Sequence, residues 1–225
     1  DGSAGNVTIG FTVNFFGTNF TTLAVNNNGN LTFDGTQSAY RPYGLVQTTR
    51  KIIAPFFADV DTRGAGSGLV YYGNDTVDGH NAFGVIYDGV GYFASHVDKK
   101  NTFQVILIDR SDTGPGNFDI EFDYNSILWD YTDTSTSAAV GYSAGTGAAG
   151  TYYEFPGSLT TGAFLDSGPS ALVKGSRNSN VLGRYVFPVR NGAVCTFQLS
   201  ETSRAFISGG SPAGGVQFNV TASPS

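Results

Sequence analysis

Methionine is absent from the 225 residues, and cysteine and tryptophan occur once each, as Cys195 and Trp129. A lone cysteine excludes an internal disulfide framework, which needs at least a pair. Two readings stay open for it: a small buried apolar residue, or a thiol whose partner lies on another chain. The two histidines, His80 and His96, lack the spacing of metal ligands. Charged residues make up only 13% of the chain, about half the usual share. The net charge of −6 and the scattering of the 12 Lys and Arg exclude partners that demand basic patches, namely nucleic acid and anionic membrane surfaces. No apolar run approaches the ~18 residues of a membrane span. With no Met and with Asp1 at the start, the chain reads as a mature extracellular product after removal of a signal peptide.

What the chain has instead is 31 Gly, 18 Phe and 12 Tyr. Gly-rich turns between short aromatic and β-branched runs predict an all-β fold, an antiparallel β-sandwich with little helix. Residues 7–15 alternate, with Val7, Ile9, Phe11, Val13 and Phe15 on one face, as in a half-buried strand. Asn28-Gly29, between the runs 20–25 and 30–33, predicts a two-residue type I′ hairpin. Runs at 69–72, 83–87, 137–142, 151–155 and 184–189 continue the strand pattern, and 102–108 reads as a central strand. In 118–124, Phe118, Ile120, Phe122 and Tyr124 are expected inside, with Asp119, Glu121 and Asp123 on a solvated outer face. Single helical turns are expected near 125–128 or 159–164.

The chain is organised around Lys51-Ile-Ile-Ala-Pro-Phe-Phe-Ala-Asp-Val-Asp61. Its apolar run fits a strand buried on both faces, and Pro55 requires that strand to bend or to reach an edge. Asp59 and Asp61 then share a face. This stretch resembles the central motif of the NIDO domain, an extracellular module named after nidogen, with Phe57 where many members carry Trp. Val25-Asn-Asn-Asn-Gly-Asn-Leu-Thr-Phe33, Asn101-Thr-Phe-Gln-Val-Ile-Leu107, Phe118-Asp-Ile-Glu-Phe-Asp-Tyr124 leading to Trp129, and Ser179-Asn-Val-Leu-Gly-Arg-Tyr-Val-Phe187 follow in the order that family requires, so the resemblance spans about residues 7–190. It implies a secreted or cell-surface adhesion and assembly module with no catalytic residues. Beyond Arg190 the composition changes. Residues 191–225 resemble the opening of a BACON-type bacterial β-sandwich repeat, which tilts the source toward bacteria and predicts a two-strand extension.

Several motifs suggest chemistry. Gly141-Tyr-Ser-Ala-Gly145 matches a nucleophile elbow at Ser143, but no helix can follow and both histidines precede it. Gly145 to Gly150 matches a dinucleotide fingerprint, again without its helix. Asp119, Glu121 and Asp123 could be paired glycosidase carboxylates, though alternating acids on a strand face are more often solvated. Asp59 and Asp61 could ligate Ca²⁺ with carboxylates supplied by the fold, because a hard cation suits oxygen ligands. Equally, they could cap loop amides or pair with Arg63. The five sequons, at Asn6, Asn19, Asn30, Asn74 and Asn219, are little more than chance supplies.

The expected function is therefore non-enzymatic. A secreted or surface module would bind a protein partner, including copies of itself, through strand edges and aromatic patches. In the extension, Cys195, Phe197 and Leu199 share one strand face, as do Val216, Phe218 and Val220. These six are the expected interaction residues. They would pack on the same chain, on a continuation of their own repeat, or on the next subunit as donated strands that build a filament. The alternative is a lectin-like module binding glycans, assisted by calcium.

Overall fold

The computed structural model describes residues 1–132 and 136–195. Phe197, Leu199, Val216, Phe218 and Val220, and with them all but residues 191–195 of the BACON-like stretch, lie outside the described residues. Among the described residues, thirteen strands form two antiparallel sheets. In chain order they are β1 (Ser3–Phe15), β2 (Thr18–Asn26), β3 (Asn30–Thr32), β4 (Ile52–Phe57), β5 (Val60–Asp61), β6 (Val70–Val77), β7 (His80–Tyr92), β8 (His96–Asp109), β9 (Phe118–Ser126), β10 (Ala139–Ser143), β11 (Tyr152–Glu154), β12 (Arg184–Arg190) and β13 (Ala193–Val194). The first sheet runs β1-β2-β3-β4-β10-β11. The second runs β13-β12-β9-β8-β7, and both β5 and β6 pair with β7 at its far edge.

The expected all-β sandwich is the fold. Its core lies between the sheets and joins Ile9, Val13 and Phe15 of β1 to Phe83, Val85 and Tyr87 of β7, Phe103, Val105 and Leu107 of β8, and Phe118, Ile120 and Phe122 of β9. The alternation read in 7–15 and 118–124 thus has the right phase, and 102–108, read as a central strand, lies in β8 between β7 and β9.

Strand β4 is buried on both faces. Ile53 and Phe56 enter the main core, while Ile52, Ala54 and Phe57 form a second cluster with Leu45 and Ala139 on the sheet's other side. The three-residue spacing of Ile53 and Phe56 reflects a bulge at Pro55. Against β10, Gly141 pairs with Ala54 and Ala139 with Phe57, so two residues of β10 span three of β4. Proline needs no ladder partner there, and its carbonyl accepts a 2.6 Å hydrogen bond from Tyr124 OH.

Three expectations need correction. Asn26 pairs with Asn30, so the hairpin loop has three residues, 27–29, and only Gly29 in it has positive φ; a type I′ turn would need two such residues. The short helical turns are 3-10 turns at Ser111–Thr113 and Leu172–Lys174, not at 125–128 or 159–164. Finally, Asp119 and Glu121 do lie on the outer face of β9 but are buried there, because arginines from flanking segments cover them.

Candidate functional site

The Asp59-Val-Asp61 run carries the chain from one sheet to the other. β4 belongs to the first sheet and β5 to the second. The crossing is pinned on both sides. Ala58 N–H donates to Asn28 O at 3.2 Å and Phe93 N–H to Asp59 O at 3.1 Å, and the Asn27 amide donates to Val60 O at 2.7 Å. Beside this crossing lies a cleft of about 550 Å³, lined by Asp1, Asn27, Tyr40, Arg41, Asp59, Asp61, Arg63 and Phe93. Both aspartates therefore reach the same cleft.

Their environments differ. Asp61 accepts from Arg63 N–H (3.0 Å) and Arg63 Nε (2.8 Å) through Oδ1, and from an Arg63 terminal nitrogen (2.6 Å) and Ser95 N–H (3.0 Å) through Oδ2. The Arg63 fork holds this carboxyl well below the usual carboxylate range. Asp59 is buried at 5% exposure, and its Oδ2 has no hydrogen-bond donor. Burial, and then the charge of Asp61, push its carboxyl up. Equal-looking acids two residues apart thus divide into one gripped by arginine and one with a buried oxygen that no donor reaches.

The loop below the crossing is a buried polar network that sequence reading missed. Asn26 Nδ2 donates to Asn30 Oδ1 and to Thr32 Oγ1, both at 2.9 Å. The Gln37 amide adds a donor to Asn30 Oδ1 at 3.2 Å. Asn30 is fully buried in this network, so its sequon is closed to modification in the folded chain. The signal available was the density of asparagine in 25–33, which fits a turn as readily as a network.

Elsewhere, Ser143 is fully buried at the end of β10, and its Oγ accepts from Gly145 N–H at 3.1 Å. No helix follows it, since β11 is the next element. Asp119 is held by Arg110 at 3.2 Å and Arg190 at 2.6 Å, and Arg184 spans Glu121 (3.2 Å) and Asp123 (2.9 Å). Burial, followed by the Asp123 charge, pushes Glu121 up to about 7. Trp129 is a core residue whose indole N–H donates to Val90 O at 3.2 Å, so it offers no open face. The exposed aromatics lining the cleft are Tyr40 and Phe93. Cys195 is a half-buried free thiol following β13, and its N–H donates to Pro188 O at 2.7 Å.

The chain is 31% identical to mouse alpha-tectorin and 29% identical to human alpha-tectorin, each over 84% of this chain and 10% of that protein. It thus spans a small part of the length of these curated relatives. No solved structure matches it. A family profile described as NIDO related matches residues 1–181, taking in the Val25–Phe33, Lys51–Asp61, Asn101–Leu107 and Phe118–Trp129 stretches. On that match, the chain belongs to the NIDO-related family.

Proposed function

We propose that this chain is an extracellular, non-enzymatic adhesion and assembly module that works through a sheet edge. Strand β6 carries the reading. It pairs with β7 on one side, and among the described residues no strand pairs with its other side. Tyr71 and Tyr72 on it are 55% and 50% exposed, and Leu69 just before it is 49% exposed. Free edges in monomeric proteins are usually blunted by lysine, proline or a bulge. Val70-Tyr-Tyr-Gly-Asn-Asp-Thr-Val77 has no lysine or proline, and its register with β7 is unbroken. Such an edge suits strand addition, where main-chain hydrogen bonds supply affinity and tyrosines supply contact area.

The occupant we favour is the C-terminal segment of a second copy. β13 is at one edge of the second sheet and β6 at the opposite edge, so a strand leaving past β13 and pairing with a neighbour's β6 makes a heterologous contact that propagates. The alternating apolar faces of 195–199 and 216–220 fit that use. A glycan-binding surface is the second reading, supported by the exposed Tyr40 and Phe93 beside the carboxylates of the cleft.

Sedimentation velocity tests the assembly reading. The intact chain is expected to self-associate with concentration. Removal of 196–225, or Tyr71→Lys with Tyr72→Lys, should leave a folded monomer. An intact chain that stays monomeric at high concentration removes self-assembly. Association unchanged by the edge substitutions would move the contact elsewhere.

A further inference from the structure

We propose that the sheet crossover holds a calcium ion between Asp59 Oδ2, Asn28 Oδ1 and the carboxylate of Asp1. The proposal does not depend on the β6 edge. Its starting point is two buried oxygens with no donor. Asp59 and Asn28 are 5% and 1% exposed, and Asp59 Oδ2 and Asn28 Oδ1 are each without a partner. Buried polar atoms in native proteins are almost always satisfied, by protein, water or an ion.

The two lie on segments bonded to each other, since Ala58 N–H donates to Asn28 O. Asp1 joins them: its Oδ1 accepts from Asn28 Nδ2 at 2.9 Å, and it lines the cleft with Asp59. The orientation of the Asn28 amide is fixed by its surroundings. Nδ2 donates to Asp1 Oδ1 and to Ala39 O at 3.1 Å. Turning the amide over would set an oxygen against two acceptors, so the bare atom is the oxygen. The other buried carboxylate oxygen without a hydrogen-bond donor, Asp119 Oδ1, differs because Arg190 pairs with it.

The chemistry selects the ion. Two carboxylates and an amide oxygen are hard donors, suited to Ca²⁺ and poor for softer metals. Among the described residues no three His, Cys, Asp or Glu side chains converge as a metal site. The remaining coordination would therefore fall to water and carbonyls, as in the weak sites of extracellular modules, with dissociation constants of roughly 0.1–1 mM. Asp61 contributes charge rather than a ligand, because Arg63 and Ser95 take both its oxygens. Bound there, the ion would tie residue 1, the 27–29 loop and the crossover into one unit.

Calorimetric titration of the chelator-treated full chain with calcium chloride, alongside thermal melts, tests this. One site with sub-millimolar to millimolar affinity and a saturable rise in Tm is expected. Asp59→Asn should weaken binding at least tenfold, yet melt no lower than wild type without calcium, since it removes a buried carboxylate oxygen that has no hydrogen-bond donor. Asp61→Asn should melt lower in both media and keep its calcium response. No heat and no Tm change in the wild type would overturn the proposal. So would an Asp59→Asn variant that binds like wild type, or a response lost in Asp61→Asn alone.

Discussion

Gly29 has φ of +74°, and a Cβ there would lie 1.7 Å from the carbonyl oxygen of Phe56. The glycine is demanded twice over, by the turn and by the closeness of β4. Gly29→Ala should therefore cost at least about 3 kcal/mol in urea unfolding, through strain and the loss of the bond from Phe56 N–H to Gly29 O. A loss under 1 kcal/mol would show that the loop relaxes away from β4. The presence of a turn at this glycine was legible from Asn28-Gly29 between strand patterns. The loop length was not, because the choice between two and three residues depends on carbonyls that receive Phe56 and Ala58 from a strand more than twenty residues away. Asp59 and Asp61 carry a similar lesson. Period two placed both on one cleft, but which one is neutralised depends on the path of Arg63 and the turn at Ser95.

At the scale of the element, β9 shows how far alternation reads. Its inner residues are core, as their spacing requires, and its outer acids alternate as expected. Their burial was illegible because the covering Arg110, Arg184 and Arg190 come from segments on either side of β9, two of them far along the chain. Burial makes the strand pH-sensitive in an unusual sense. A carboxyl raised from its ordinary value to about 7 favours the folded state when protonated. That contribution is full below the unfolded value of 4.5 and is lost as pH rises through about 7. The wild type should lose on the order of 1–2 kcal/mol relative to Glu121→Gln between pH 5 and pH 8, discounting the full shift for solvent and for the Arg184 partner. Asp61 acts oppositely: its depressed carboxyl stabilises above the unfolded value of 3.8 and stops doing so as acid titrates it. Parallel pH profiles for wild type and Glu121→Gln would refute the assignment to Glu121.

For the whole molecule, composition and strand patterning made the sandwich and its core legible, since apolar alternation reports burial directly. Strand order was not, because pairing partners such as β4 and β10 are separated by some eighty residues that carry no mark of the contact. The composition change after Arg190 suggested a boundary there, and the described β structure runs on through a turn to Val194. Asn191 N–H donates to Asn117 Oδ1 at 2.8 Å. β13 then pairs with β12, and Val194 enters the core. The pairing of β13 with β12 predicts an asymmetric truncation series. A chain stopped after Cys195 should unfold at the denaturant midpoint of the intact protein. One stopped after Arg190 should lose about 2 kcal/mol, the burial of one valine plus an edge pairing and the Asn117 contact. If the two truncations prove equally stable, β13 adds nothing to the sheet, and the unit ends at Arg190. If only the longer one holds, the donated strand proposed to begin at Cys195 would leave from an anchored edge strand, as strand donation requires.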